Sequence, residues 1–244
     1  MASNRRIERT QCELEWLERK SGGAPLIRKI VRQKVDVALR ISSSGRRDGL
    51  HVSPENQPLD DVAICARIET LTVGMMRFWK EANGWAPDDA ASLLNKSMLE
   101  WQASLSACLS WWLQSSTDGE LILAWANLGS LVEGQLKLFL SVWLDDYRCD
   151  AEAIKKKGEL QNPDGCTLES LRLFFVKRIW TTGANWDSYI SRIQERRNAI
   201  HAFKAKDIGT FGQWRGELRE HLSFVRDING RLPYPDDVYV PREF

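Results

Sequence analysis

The stretch Gln194 to Phe203, QERRNAIHAF, places Arg196, Arg197, Asn198 and His201 within six consecutive positions of a helix-like run. Each of these side-chain types has a use in phosphate chemistry. A guanidinium grips a phosphate through two parallel hydrogen bonds and stabilises negative charge as it develops. An imidazole titrates near neutrality, so it can accept or donate a proton. If the nucleophile is RNA's own 2′-hydroxyl, no metal is required. The bland alternative is a basic last turn of helix, where arginines favour the helix dipole. On a regular helix, residues four apart share a face, so Arg197 and His201 would point together with Asn198 beside them. Arg196 would stand about 140° from His201, at ~100° per residue.

The setting of the motif is basic although the chain is not. Net charge is +1 over 244 residues, which excludes a protein that coats nucleic acid with its whole surface. Between positions 172 and 206, however, eight Lys and Arg face only Asp187 and Glu195. Within that window Arg192, Lys204 and Lys206 are the candidate contacts to RNA phosphates. The first fifty residues carry a similar excess, twelve basic against six acidic positions.

Other chemistries find little support. The five cysteines are scattered without a CxxC pair, and the charged start MASNRRIERTQCELEWLERK has no apolar core segment of a secretory signal. Reduced thiols in a cytoplasmic protein are the expectation. None of the three histidines lies at metal-ligand spacing from a cysteine, so neither a metal nor another cofactor is expected. The most apolar run, Leu121 to Leu144, contains Asn127, Glu133, Gln135 and Lys137. Each charge near a bilayer centre costs roughly 2.5–3.5 kcal/mol, which predicts a buried helix rather than a membrane span.

The elements that must position the motif are helical almost throughout, because apolar spacing of three and four recurs and alternating segments are scarce. Helices are expected over 5–20 and 26–41, followed by the polar loop SSSGRRDGLHVSPENQPLD, the best candidate for a mobile segment in the N-terminal half. A third helix runs from about Asp60 to Glu81, and a fourth from Asp88 to about Gln114, with Met98, Trp101, Cys108 and Trp112 on its stripe. A helix of about seven turns from Glu120 is apolar on two sides. A polar linker precedes a helix capped by Thr167. The motif helix is expected over Trp186 to Phe203, with Trp186, Ile190, Ile193 and Ile200 on its apolar stripe. A last helix covers about Phe211 to Asn229, before a proline-rich extended tail. The predicted organisation is all-α: an N-terminal helical region (1–118) packed on a C-terminal four-helix bundle (119–230), then a tail (231–244).

A helical bundle with Arg-x4–6-His near the end of its third helix resembles the HEPN superfamily. Arg196-Arg-Asn-Ala-Ile-His201 satisfies Arg-x4-His, and the upstream segment NLGSLVEGQLKLFL and the helix order resemble that superfamily over roughly 119–230. The resemblance implies a metal-independent endoribonuclease, active as a homodimer whose motif residues meet at the interface. Many members belong to bacterial toxin or phage-defence systems, which implies an antitoxin or defence-system protein as partner. It makes Arg196 the functional arginine, His201 the catalytic histidine and Asn198 a supporting polar group. The motif departs from the family pattern in carrying Arg197 directly after Arg196, so either arginine can be the functional one. A non-catalytic helical module that dimerises through the same bundle is the alternative. Trp111, Trp112, Cys65 and Cys108 read as packing residues, and His221 as packing or surface.

Overall fold

The structure, a computed structural model, describes residues 59–82, 86–181, 183–201, 205–234 and 240–243. The helices expected over 5–20 and 26–41, the polar loop after them as far as position 58, and Lys204 lie outside the described residues. The chain divides into two compact units, and every element named below belongs to the one built from Pro58–Leu232 and Val238–Phe244.

Among the described residues the fold is all-α. The helices are α1 (Asp61–Lys80), α2 (Asp88–Lys96), α3 (Leu99–Ala107), α4 (Asp118–Val142), α5 (Leu144–Cys149), α6 (Leu168–Arg178), α7 (Asp187–Arg197) and α8 (Phe211–Arg231). A small antiparallel hairpin, β1 (Lys155–Lys156) and β2 (Glu159–Leu160), interrupts them.

Helix α4 organises the rest. Thr117 opens it with a reciprocal cap: its hydroxyl accepts from the Glu120 N–H, and the Glu120 carboxylate accepts from the Thr117 N–H at 2.9 Å. Trp125, Leu128, Leu131, Val132 and Leu136 are all fully buried, so apolar side chains surround the helix rather than lining one stripe. The chain itself covers them. Helices α2, α3, α6, α7 and α8 all pack against α4, while α1 packs on α3 and α8. Two aromatic clusters fill the gaps: Phe139, Phe175 and Trp180 between α4 and α6, and Trp186, Tyr189, His221 and Phe224 between α7 and α8.

Three local readings are corrected. The helix expected from Asp88 to Gln114 breaks after Lys96, where Ser97 adopts an extended conformation and its hydroxyl donates back to the Leu93 carbonyl at 2.9 Å. A serine that competes for a carbonyl in this way loosens the helix. Beyond Ala107 the same segment tightens into a 3₁₀ helix over Cys108–Gln114. Met98, Trp101 and Trp111 consequently stand exposed.

The polar linker contains the hairpin, turned by Lys157 and Gly158 with φ of 54° and 86°. Two successive positive φ values match the right-handed twist of a tight hairpin.

The motif helix ends at Arg197, and Asn198–His201 form a 3₁₀ turn. Asparagine is a poor helix former that favours helix ends, and Asn198 is the C-cap residue here.

Candidate functional site

The early end of α7 redistributes the motif. In a 3₁₀ turn residues three apart eclipse, so Asn198 and not Arg197 stands over His201. Arg197 and His201 are separated by about 120° rather than the 40° of a continuous α-helix. Ile190 and Ile193 keep their buried places on the stripe, but Ile200 is rotated out and is 47% exposed. His201 is exposed beside it.

The two arginines have different fates. Arg197 turns back onto α4. Its Nη1 donates to Glu133 Oε2 at 2.5 Å, and Lys137 holds the other oxygen of the same carboxylate at 2.7 Å. Burial pushes the Glu133 carboxyl up, but the hydrogen bonds and charges of Lys137 and Arg197 together outweigh it and hold the group below its usual range. Gly129 makes the approach possible: a β-carbon there would stand 2.5 Å from Arg197 Cδ. Arg197 therefore ties α7 to α4.

Arg196 points elsewhere. Its Cζ lies 4.7 Å from the centroid of the Trp125 ring, over a side chain that is fully buried and fixed by an N–H···O bond of 2.8 Å to the Ile208 carbonyl. A guanidinium on an indole face gains on the order of 0.5–2 kcal/mol. The turn before α8 closes over it. Gly209 has φ of 63°, and a β-carbon at that position would lie 3.2 Å from Arg196 Cζ. No carboxylate among the described residues pairs with Arg196, and its Nη1 is buried without a hydrogen-bond acceptor.

Comparison with protein-family models, with curated protein sequences and with solved structures returns no match. The chemistry of the site therefore rests on its own geometry.

The remaining predicted residues divide. Arg192 is occupied: Nε and Nη2 reach the two Glu217 oxygens at 2.9 and 3.2 Å, and Nη2 also meets Glu220 at 2.8 Å. Lys206 is exposed on the turn before α8, and Asn198 is half-buried. No group of three or more His, Cys, Asp or Glu side chains suited to a metal ion occurs among the described residues. Within the same limits, no helix is long and apolar enough to cross a membrane.

Sequence reading missed four contributors: Trp125, Glu133, Gly129 and Gly209. Gly129 carried a signal, because a glycine inside an apolar helix marks a position where something must come close. Nothing in the spacing singled out Glu133 as the partner of Arg197. His221 is fully buried in the α7–α8 cluster, with its Nδ1 2.9 Å from the Tyr189 hydroxyl.

Proposed function

We propose that this chain is a metal-independent endoribonuclease of the HEPN type, with Arg196 and His201 as its working pair. The observation that carries the reading is the contrast between the two arginines. Arg197 is paired with Glu133, whereas Arg196 is held over the Trp125 ring with an N–H lacking any acceptor among the described residues. A guanidinium fixed in place without a counter-ion is suited to an anion, and a phosphodiester supplies one with two acceptor oxygens. His201, exposed at the end of the adjoining 3₁₀ turn, is the proton acceptor.

In the reaction His201 takes the proton of the RNA 2′-hydroxyl and the 2′-oxygen attacks the neighbouring phosphorus. The bond from phosphorus to the 5′-oxygen breaks, leaving a 2′,3′-cyclic phosphate on one product. The departing oxygen takes a proton from water to become the 5′-hydroxyl of the other, and the protonated His201 returns its proton to the hydroxide so formed. Arg196 stabilises the charge gathering on the phosphoryl oxygens. Lys206, exposed on the turn before α8, would meet flanking phosphates. Exposed Ile200 beside His201 suits a groove closed by a second copy of the chain, as the homodimer of the resemblance requires. A toxin or defence effector restrained by a partner protein is the biological form this reading takes.

The test is cleavage of a mixed RNA pool in EDTA. Wild type cleaves, Arg196→Ala loses roughly 100-fold or more in rate, and His201→Ala falls by a similar factor. Arg197→Ala loses stability while keeping most of its rate per folded molecule. Inert wild type, or Arg197→Ala as damaging per folded molecule as Arg196→Ala, overturns the assignment. The second reading, a non-catalytic interaction module, is favoured by the exposure of Met98, Trp101 and Trp111 around α3, and inert wild type would promote it.

A further inference from the structure

Far from the motif, the last described residues lie along α1 and α8 within the same compact unit. They are held by anchors from both helices. The Pro241 ring sits against α1 where Gly74 leaves room: a β-carbon at that position would stand 2.9 Å from Pro241 Cβ. The Pro241 carbonyl accepts from Asn229 Nδ2 of α8 at 3.1 Å. Arg242 points out to solvent. Glu243 is grasped from both helices, by Arg226 through Nε and Nη2 (the latter at 2.7 Å) and by Arg67 Nη1 at 3.2 Å. The hydrogen bonds and charges of those two arginines outweigh partial burial and hold the Glu243 carboxyl below its usual range.

This is how a groove reads a peptide. Alternate residues of an extended strand point in and out, so pockets at every second position give selectivity. Here the inward positions are a proline, which carries little conformational entropy into the bound state, and a carboxylate met by a two-point arginine fork. A segment that merely finishes a fold needs neither a glycine cut for a proline ring nor two arginines from different helices on one glutamate. We propose that the α1–α8 groove is a recognition site for an extended Pro-x-Glu peptide, which the chain's own segment 240–243 fills as an intramolecular competitor. The occupant in trans is an acidic, proline-bearing protein segment of the same pattern. A tethered segment competes at an effective concentration set by its tether, so a partner of this kind binds only by displacing it.

The probe is a fluorescein-labelled peptide of sequence VYVPREF, copied from 238–244, followed by fluorescence anisotropy. It is titrated against the full wild-type chain and against Glu243→Lys, in which the internal anchor is reversed and the groove vacated. The Glu243→Lys chain binds saturably, and wild type binds at least ~10-fold more weakly because its groove is occupied. Adding Arg67→Ala and Arg226→Ala to Glu243→Lys abolishes the signal, as does a probe carrying lysine in place of its glutamate. A chain lacking residues 240–244 serves as a second vacated form should Glu243→Lys fold poorly. No binding to either vacated form below about 1 mM, with circular dichroism showing both folded, overturns the proposal. Equal binding to wild type and vacated chains overturns the competitor role.

Discussion

Acid should unfold this protein in part through one residue, His221. The side chain is fully buried, its Nδ1 shared with the Tyr189 hydroxyl at 2.9 Å and its Nε2 without a hydrogen-bond partner among the described residues. Burial pushes the imidazole from its ordinary 6.5 down to about 3. Between those values the unfolded chain binds a proton that the folded chain refuses. The contribution to stability is therefore whole above pH 6.5, declines as pH falls, and is fully lost below about 3. At ~1.36 kcal/mol per unit, a solution at about pH 4.5 lies two units below the unfolded value and costs about 2.7 kcal/mol. That is a large fraction of a typical folding free energy of about 5–15 kcal/mol. The assay is urea unfolding of wild type and His221→Gln at neutral pH and at about pH 4.5. Glutamine does not titrate. The variant starts less stable, since it disturbs the Tyr189 bond and the aromatic cluster, but it escapes the histidine's acid penalty. The gap between the two proteins should close by about 2.7 kcal/mol on acidification. Glu133 and Glu243, whose carboxyls are held low by arginine and lysine partners, also lose stability in acid, but in both proteins alike. A gap that changes by less than about 0.5 kcal/mol would refute the reasoning, because His221 would then be titrating alike in the folded and unfolded chains.

Other perturbations have equally direct outcomes. Gly129→Ala should cost about 1–3 kcal/mol in thermal unfolding by pushing Arg197 away from Glu133, and adding Arg197→Ala should relieve part of the loss. Thr117→Ala removes the hydroxyl of the α4 cap and should cost about 1 kcal/mol in urea unfolding, whereas Thr117→Ser should cost little. Trp125→Phe deletes the donor to the Ile208 carbonyl, and hydrogen exchange should show faster opening of residues 205–209 together with a loss of about 1–3 kcal/mol.

Most helices were legible because their signals are local. The long α4 was legible through its apolar spacing, although it starts at Asp118, two residues before the expected Glu120, and Thr167 marked the start of α6 as a cap. The failures occurred where backbone competition decides. Ser97 broke a stripe that spacing alone would carry through, and Asn198 changed the pitch of the motif by tightening one turn. The candidate site was legible only as a set of residue types. Spacing marked Arg196 and His201, but the separate partners of the two arginines depend on side chains on α4, 64 positions from Arg197 in one case. No periodicity carries that information. His221 was equally opaque: REHLSF reads as polar, and only the packing of Tyr189 and Phe224 around it makes it interior.

The bond from the Trp125 indole to the Ile208 carbonyl spans 83 positions of chain. Such a contact has a consequence for the order in which the molecule comes into being. During synthesis, α4 is complete long before the turn that receives its tryptophan has been made, and the platform beneath Arg196 cannot be locked until that turn arrives. Long-range closures of this kind are entropically slow, and domains commonly finish them only once their last partner segment is available. The arginine of the motif is thus presented only by a chain elongated past Gly209. An unfinished copy carries the same residues without the arrangement that holds them.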